Sequence, residues 1–294
     1  MTNQTYQVSP TIWFAVYVTE CIVIFMINAF TVITFARNRL LRKRTTYLVI
    51  NLTVADLLVG AVSEPLDWYY HELDPGPGFS WQKFSILICV NIFSVCSLTN
   101  LSLIALERLH ATLYPFRHCL IREQVYFKII VCNWLLALVL SFLMAVVDVY
   151  EPIAYLYTWT SHIILTLLIL TISYVIITLN VKSNPSGAPH HFGLVVSERK
   201  LSVTLFIVTV VSILSVFPYA IYAVIISGKW DQLLSKMAQF HIFYTAHVLY
   251  YANSLVNPLI YAIRMKEFRN AVKDLICKRD PESSRVQPIE LRAL

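Results

Sequence analysis

The 294-residue chain is 57% hydrophobic and only 14% charged, with a net charge of +6 and a mean hydropathy of +0.64. A soluble domain carries charge at about a quarter of its positions, so a water-soluble globule is excluded.

In chain order, Met1 to Pro10 has neither a basic n-region nor an apolar h-region. Residues 1–12 therefore read as an outward N-terminus, and the first span as an uncleaved signal-anchor. Seven apolar stretches follow, over 13–36, 46–70, 83–107, 126–149, 155–181, 199–226 and 239–263. Each is long enough to cross a bilayer with some tilt. The predicted fold is an all-α membrane protein, a seven-transmembrane helix bundle over 13–263 with short loops, no repeat and no separate soluble module. Residues 264–277 differ: Phe268, Val272, Leu275 and Ile276 share one face, with Lys266, Arg269 and Lys273 elsewhere. That pattern predicts an amphipathic helix lying on the inner leaflet. Cys277 near its end is either a palmitoylation site or an ordinary reduced thiol. Residues 278–294 form a polar cytoplasmic tail, with Ser283 and Ser284 as phosphorylation candidates.

The basic residues set the orientation. Of 23 Lys and Arg, only Lys83, Lys229 and Lys236 share a side with the N-terminus; the other 20 lie opposite. Positive loops stay cytoplasmic, which puts the N-terminus outside and the C-terminus inside. Asn3-Gln4-Thr5 is then an outward glycosylation acceptor. Because the charge is sorted by membrane side, it does not argue for nucleic acid as a partner.

Several residues are too polar for a passive span. Asp56 lies within span two, span three closes on Glu107-Arg108, and span seven carries Asn253, Asn257 and Pro258 before Tyr261. Ionisable groups at that depth are costly and usually functional. Val90, Ser94, Ser97, Leu101, Ile104 and Arg108 recur at three- and four-residue steps, so they share one inward face. Asp56 needs partners, and Ser97, Asn253, Asn257 and Asn28 offer hydroxyl and amide groups.

With these residues on the page the chain resembles the rhodopsin-like (class A) G-protein-coupled receptors over nearly its whole length. The resemblance rests on Asn28, Leu52-Thr53-Val54-Ala55-Asp56, Glu107-Arg108, Pro115-Phe116-Arg117, Trp134, Tyr174, Pro218, Asn257-Pro258-Leu259-Ile260-Tyr261 and Phe268, each in its expected span. It implies a plasma-membrane receptor, not an enzyme, that couples an extracellular ligand to a heterotrimeric G protein, with arrestin and a kinase acting at the tail. It implies that Arg108 pairs with Glu107 and with Glu198 at the start of span six, a link whose breakage lets span six swing outward. Pro218 and Pro258 would kink spans six and seven. The resemblance also implies a sodium ion held by Asp56, Ser97, Asn253 and Asn257; a water-filled hydrogen-bond network with a partly protonated Asp56 is the other reading. No other cofactor is implied.

The chain departs from the family in its outer half. None of the six cysteines (21, 89, 96, 119, 132 and 277) falls where the family's outer disulfide forms. Val216 stands where an aromatic toggle is expected, Ser212 replaces a phenylalanine, Thr166 the span-five proline, and Leu109 the aromatic after the arginine. Span seven has no lysine for retinal, and Val90 stands where amine receptors place an aspartate. The outer half holds eight acids against three lysines. Glu64, Asp67 and Asp148 either face a vestibule, concentrating a cationic small molecule or short peptide, or are solvated at the headgroups, the reading favoured for surface charge runs. Pocket candidates are Glu64, Asp67, Val90, Asn91, Ser94, Val216, Tyr219, Tyr222, His247, Tyr250 and Tyr251; a neutral nucleoside-like or lipid ligand stays open. A receptor that is constitutively active or modulates another receptor is the alternative that the missing toggle keeps alive. A transporter or channel is disfavoured by six glycines and no repeat. A zinc hydrolase is disfavoured because His71-Glu72 lacks the second histidine of its motif.

Overall fold

The computed structural model describes residues 2–41, 44–72, 79–183, 210–212, 214–226 and 234–277, and all regular structure among them is helical. Helix one spans Thr2–Arg37, helix three Trp81–Leu113, helix four Glu123–Tyr150, helix five Pro152–Ser183, helix seven Lys236–Arg264 and helix eight Lys266–Ile276. Helix six is described over 210–212 and 214–226. Helix two starts as an α-helix (Tyr47–Leu58), widens to a π turn (Val59–Ser63) and resumes over Glu64–Glu72.

That π turn has a cause in the sequence. Pro65 lacks an N–H and its ring crowds the carbonyl four residues earlier, and a π turn absorbs the mismatch by adding a residue to the ladder. The extra residue shifts the phase of the outer turns. Within the turn, Gly60 lets helix one approach closely: a methyl added there would lie 2.5 Å from Ile24 Cγ2 and 3.0 Å from the Phe25 backbone nitrogen.

Two boundaries differ from the sequence reading. Helix one begins at Thr2 rather than residue 13, so Asn3 lies on a helical extension. Helix four ends at Tyr150 and helix five starts at Pro152, leaving Glu151 alone as the connection. Proline suits that first helical position because its missing N–H is not needed there.

Helix three packs against helices two, four and five, and helix one against two and seven. Among the described residues, five helices are long and apolar enough to cross a membrane. Helix seven, though 29 residues long, is not among them, because its inward face spends positions on His247, Asn253, Ser254 and Asn257. Ile22, Met26, Leu135, Val139, Leu165 and Leu168 are exposed on the bundle's outside, a surface that suits lipid and not water. On helix eight, Phe268 is buried, its ring centroid 5.4 Å from that of Phe35 and 6.4 Å from that of Tyr261. Cys277 is exposed at the end of this helix.

Candidate functional site

Three polar centres lie along the bundle axis. The middle one is Asp56, fully buried on helix two. Ser97 Oγ donates to its Oδ1 at 2.6 Å, Ser254 Oγ to the same oxygen at 3.0 Å, and Asn257 Nδ2 to Oδ2 at 2.7 Å. Helices two, three and seven are thus joined at one carboxyl. Asn28 Nδ2 donates to the backbone oxygen of Ser254, adding helix one. Asn253 makes no hydrogen bond to Asp56; it lines a small cavity with Val59, Ser94, Ser97, Leu98, Tyr250, Tyr251 and Ser254. The side-chain oxygens of Asn253 and Asn257 are buried and accept no hydrogen bond from the described residues. Orphaned oxygens beside a carboxylate are the donor set a hard cation takes, so the residues present fit sodium.

Beside this centre a second network ties helices two, three and four. Trp134 Nε1 donates to Asn51 Oδ1 (2.9 Å), Asn51 Nδ2 to Asn100 Oδ1 (3.1 Å), and Asn100 Nδ2 to the Leu48 carbonyl (2.7 Å).

At the inner end, Arg108 Nε lies 2.8 Å from Glu107 Oε2, a charge contact whose N–H does not align on the carboxylate. Glu107 is held from its other side by His118 Nε2 at 2.8 Å and the Tyr126 hydroxyl at 3.1 Å, both on Oε1. The expected partner Glu198 lies outside the described residues. Tyr174 and Tyr261 are buried, and helices six and seven run through Pro218 and Pro258.

The outer centre is a small cavity lined by Asp67, Val90, Asn91, Ser94, Tyr155, Trp159, Tyr219, His247, Tyr250 and Tyr251. Glu64, Val216 and Tyr222 do not line it. Glu64 is buried against Glu20, between helices two and one, because the π turn points it there. Val216 fills the core, and Tyr222 lies behind His247, against Phe243. The headgroup reading of the outer acids fails for Glu20, Glu64 and Asp67, which are 8%, 0% and 7% exposed. Asp148 is half-buried and accepts from the Tyr70 hydroxyl at 3.0 Å.

A family model described as 7 transmembrane receptor (rhodopsin family) matches residues 27–261. The chain belongs to this family. It is a multi-pass membrane receptor with G-protein-coupled receptor activity, and not an enzyme. It is 26% identical to the histamine H2 receptor of Canis lupus familiaris, over 90% of this chain and 79% of that one. It is 25% identical to the allatostatin-A receptor of Bombyx mori (85% and 75% covered) and 24% identical to neuropeptide FF receptor 2 of Mus musculus (90% and 74%).

Sequence reading missed several residues of the receptor's centres. Ser254, which donates to Asp56, stands beside Asn253 and carries no distinguishing pattern of its own. Tyr155 and Trp159 in the outer cavity lie four residues apart on one helical face, a signal present in span five. Tyr155 donates to Asn91 Oδ1 at 3.1 Å, and the Trp159 ring is centred 5.9 Å from that of Tyr250. His118 and Tyr126 reach Glu107 only because the inner loop folds back, and no local pattern announces that.

Proposed function

We propose that the receptor has its N-terminus outside, binds a small cationic ligand in the outer cavity, and activates a heterotrimeric G protein through Arg108. The observation that carries the ligand class is Asp67. Its carboxylate faces the same cavity as Val90, its Oδ2 is buried without a donor among the described residues, and aromatic rings surround the space. A buried anion walled by aromatic faces suits an organic cation. Helix two would thereby supply the counter-charge that position 90 lacks. The similarity to histamine H2 receptors supports an amine.

Glu107 holds Arg108 at rest, and outward movement of helix six opens the groove that receives the G protein. The exposed Phe116 ring, on the short inner helix Pro115–Cys119, offers an apolar contact on that face. Asp56, Ser97, Asn253 and Asn257, with Ser254 added, would hold a sodium ion; when bound it would neutralise the buried carboxylate. The chain's part is to supply oxygens and keep helices two, three and seven together.

G-protein nucleotide exchange in membranes tests this. Arg108→Ala should abolish all exchange, and Asp67→Asn should weaken an activating amine on the order of 10–100-fold, the loss of one charge-assisted contact. Equal potency in wild type and Asp67→Asn overturns the ligand assignment. A second reading, activity without ligand, is favoured by Val216 packing into the core where a toggle ring would stand. Basal exchange that Arg108→Ala removes and no amine changes would select it.

A further inference from the structure

The outer end of helix two carries a histidine that the amine reading leaves unused. His71 lies one turn beyond Asp67, and helix seven brings His247 to the same point. One donor atom from each of Asp67, His71 and His247 lies within 4.8 Å of the others. The two imidazole rings are centred 5.5 Å apart, nearly perpendicular. His247 Nε2 is 4.0 Å from Asp67 Oδ2, and His71 Nδ1 is 3.6 Å from Asp67 Oδ1. We infer that Asp67, His71 and His247 form a binding site for a divalent transition-metal ion of the zinc class, at the mouth of the outer cavity.

Three observations converge on this. Asp67 is 7% exposed, and its Oδ2 has no hydrogen-bond donor among the described residues, so a buried carboxylate oxygen awaits a positive partner. His247 Nδ1 lies 2.9 Å from the Phe243 carbonyl. A carbonyl only accepts, so Nδ1 carries the proton and Nε2 presents its lone pair towards Asp67. His71 Nδ1 lies 2.8 Å from the Asp67 carbonyl and 3.6 Å from Asp67 Oδ1, so it exchanges that carbonyl for the ion when the imidazole ligates. A metal-bound histidine whose other nitrogen is held by a carbonyl is the usual outer-partner arrangement. Lastly, two imidazoles and one carboxylate suit zinc, copper or nickel, whereas calcium and magnesium take oxygen ligands.

Ligand atoms around tetrahedral zinc are about 3.3–3.5 Å apart, so atoms lying up to 4.8 Å apart must close by up to about 1.5 Å. His71 is exposed and can swing inward. Three protein ligands leave the fourth position to water or to a donor atom of a cavity ligand. The ion would clamp helix two to helix seven.

The site shares Asp67 with the amine reading but does not depend on it, and binding is measured without ligand or G protein. The purified full-length receptor is titrated with Zn²⁺ while its unfolding temperature is followed, with Mg²⁺ as control. Co²⁺ is titrated in parallel and its visible absorption recorded. Zn²⁺ should raise the unfolding temperature saturably, Mg²⁺ should not, and Co²⁺ should develop the spectrum of a nitrogen-ligated ion. Loss of a ligand costs at least what loss of its outer partner does, so His71→Ala, Asp67→Asn and His247→Ala should each weaken binding on the order of 10-fold or more. His71 is exposed, so its variant folds even if His247→Ala does not. No Zn²⁺ effect in the wild type overturns the proposal. So does one that survives in His71→Ala, which would assign the ion to other histidines such as His241.

Discussion

Gly60 offers the sharpest test of the packing that aims the outer half of helix two. A methyl placed on it would meet Ile24 Cγ2 at 2.5 Å, Ile24 Cβ at 2.8 Å and the Phe25 nitrogen at 3.0 Å. Carbon atoms rest about 3.5–4.0 Å apart, so Gly60→Ala forces helices one and two apart by about 1 Å unless Ile24 moves. Ile24 is fully buried, and a β-branched side chain in a helix has essentially one rotamer. Overpacking of this kind costs about 1–3 kcal/mol, against about 1 kcal/mol gained in helix propensity. The net loss is thus about 0–2 kcal/mol. Ile24→Ala alone leaves a cavity and costs about 2–5 kcal/mol. In the double variant the new methyl enters the space Ile24 vacates, so the two changes should couple favourably by about 1–3 kcal/mol. Thermal unfolding of the four purified proteins in one detergent, at one scan rate, reads this directly; each kcal/mol moves the midpoint by about 2–4 °C. Additivity within about 0.5 kcal/mol, or a Gly60→Ala midpoint above wild type, would refute the close approach.

The two buried networks make separate predictions. Sodium should lower basal nucleotide exchange in the wild type and leave Asp56→Asn unchanged, since the amide lacks the charge that draws the ion; equal sodium responses sink the ion reading and leave a hydrogen-bond network. Trp134→Phe removes one interhelical hydrogen bond and should cost about 0.6–1.7 kcal/mol. Asn100→Leu removes two and strands the Asn51 amide, so its unfolding midpoint should fall further; an equal fall would mean the chain of three bonds does not act as a unit.

Much of the bundle was readable because membranes penalise polarity so heavily. Asp56 and Asn257 stand out in apolar runs, and the structure brings them within 2.7 Å. What was not readable follows from two physical limits. Side-chain direction depends on helix phase, and the π turn at Val59–Ser63 changes that phase midway along helix two. Glu64 consequently turns towards helix one while Asp67 faces the cavity, and a regular 3.6-residue period cannot separate them. Aromatic residues in apolar spans are also ambiguous, since Tyr155 and Trp159 would look the same facing lipid. Histidine pairs between distant helices leave no local trace at all: His71 lacked a second histidine in its own segment because helix seven provides it.

The absent outer disulfide raises the question of what holds helix three to its neighbours there. Tyr70 of helix two donates to Asp148 of helix four, and Lys83 of helix three lies over the Tyr70 ring at 5.3 Å. Phe84 of helix three meets Phe142 of helix four edge-on, with centroids 5.7 Å apart. A hydrogen bond to a charged group contributes about 1.5–3 kcal/mol, the cation over the ring about 0.5–1, and the aromatic pair about 0.5–1.5. Together these reach the 2–4 kcal/mol typical of a disulfide, so the covalent staple is dispensable on energetic grounds. The substitution is not neutral in kind, however. A disulfide is covalent and fixes its two ends, whereas these contacts can open, and Glu151 alone joins helices four and five. The connection between helices four and five is therefore too short to lie across the mouth beside Asp67 and His247.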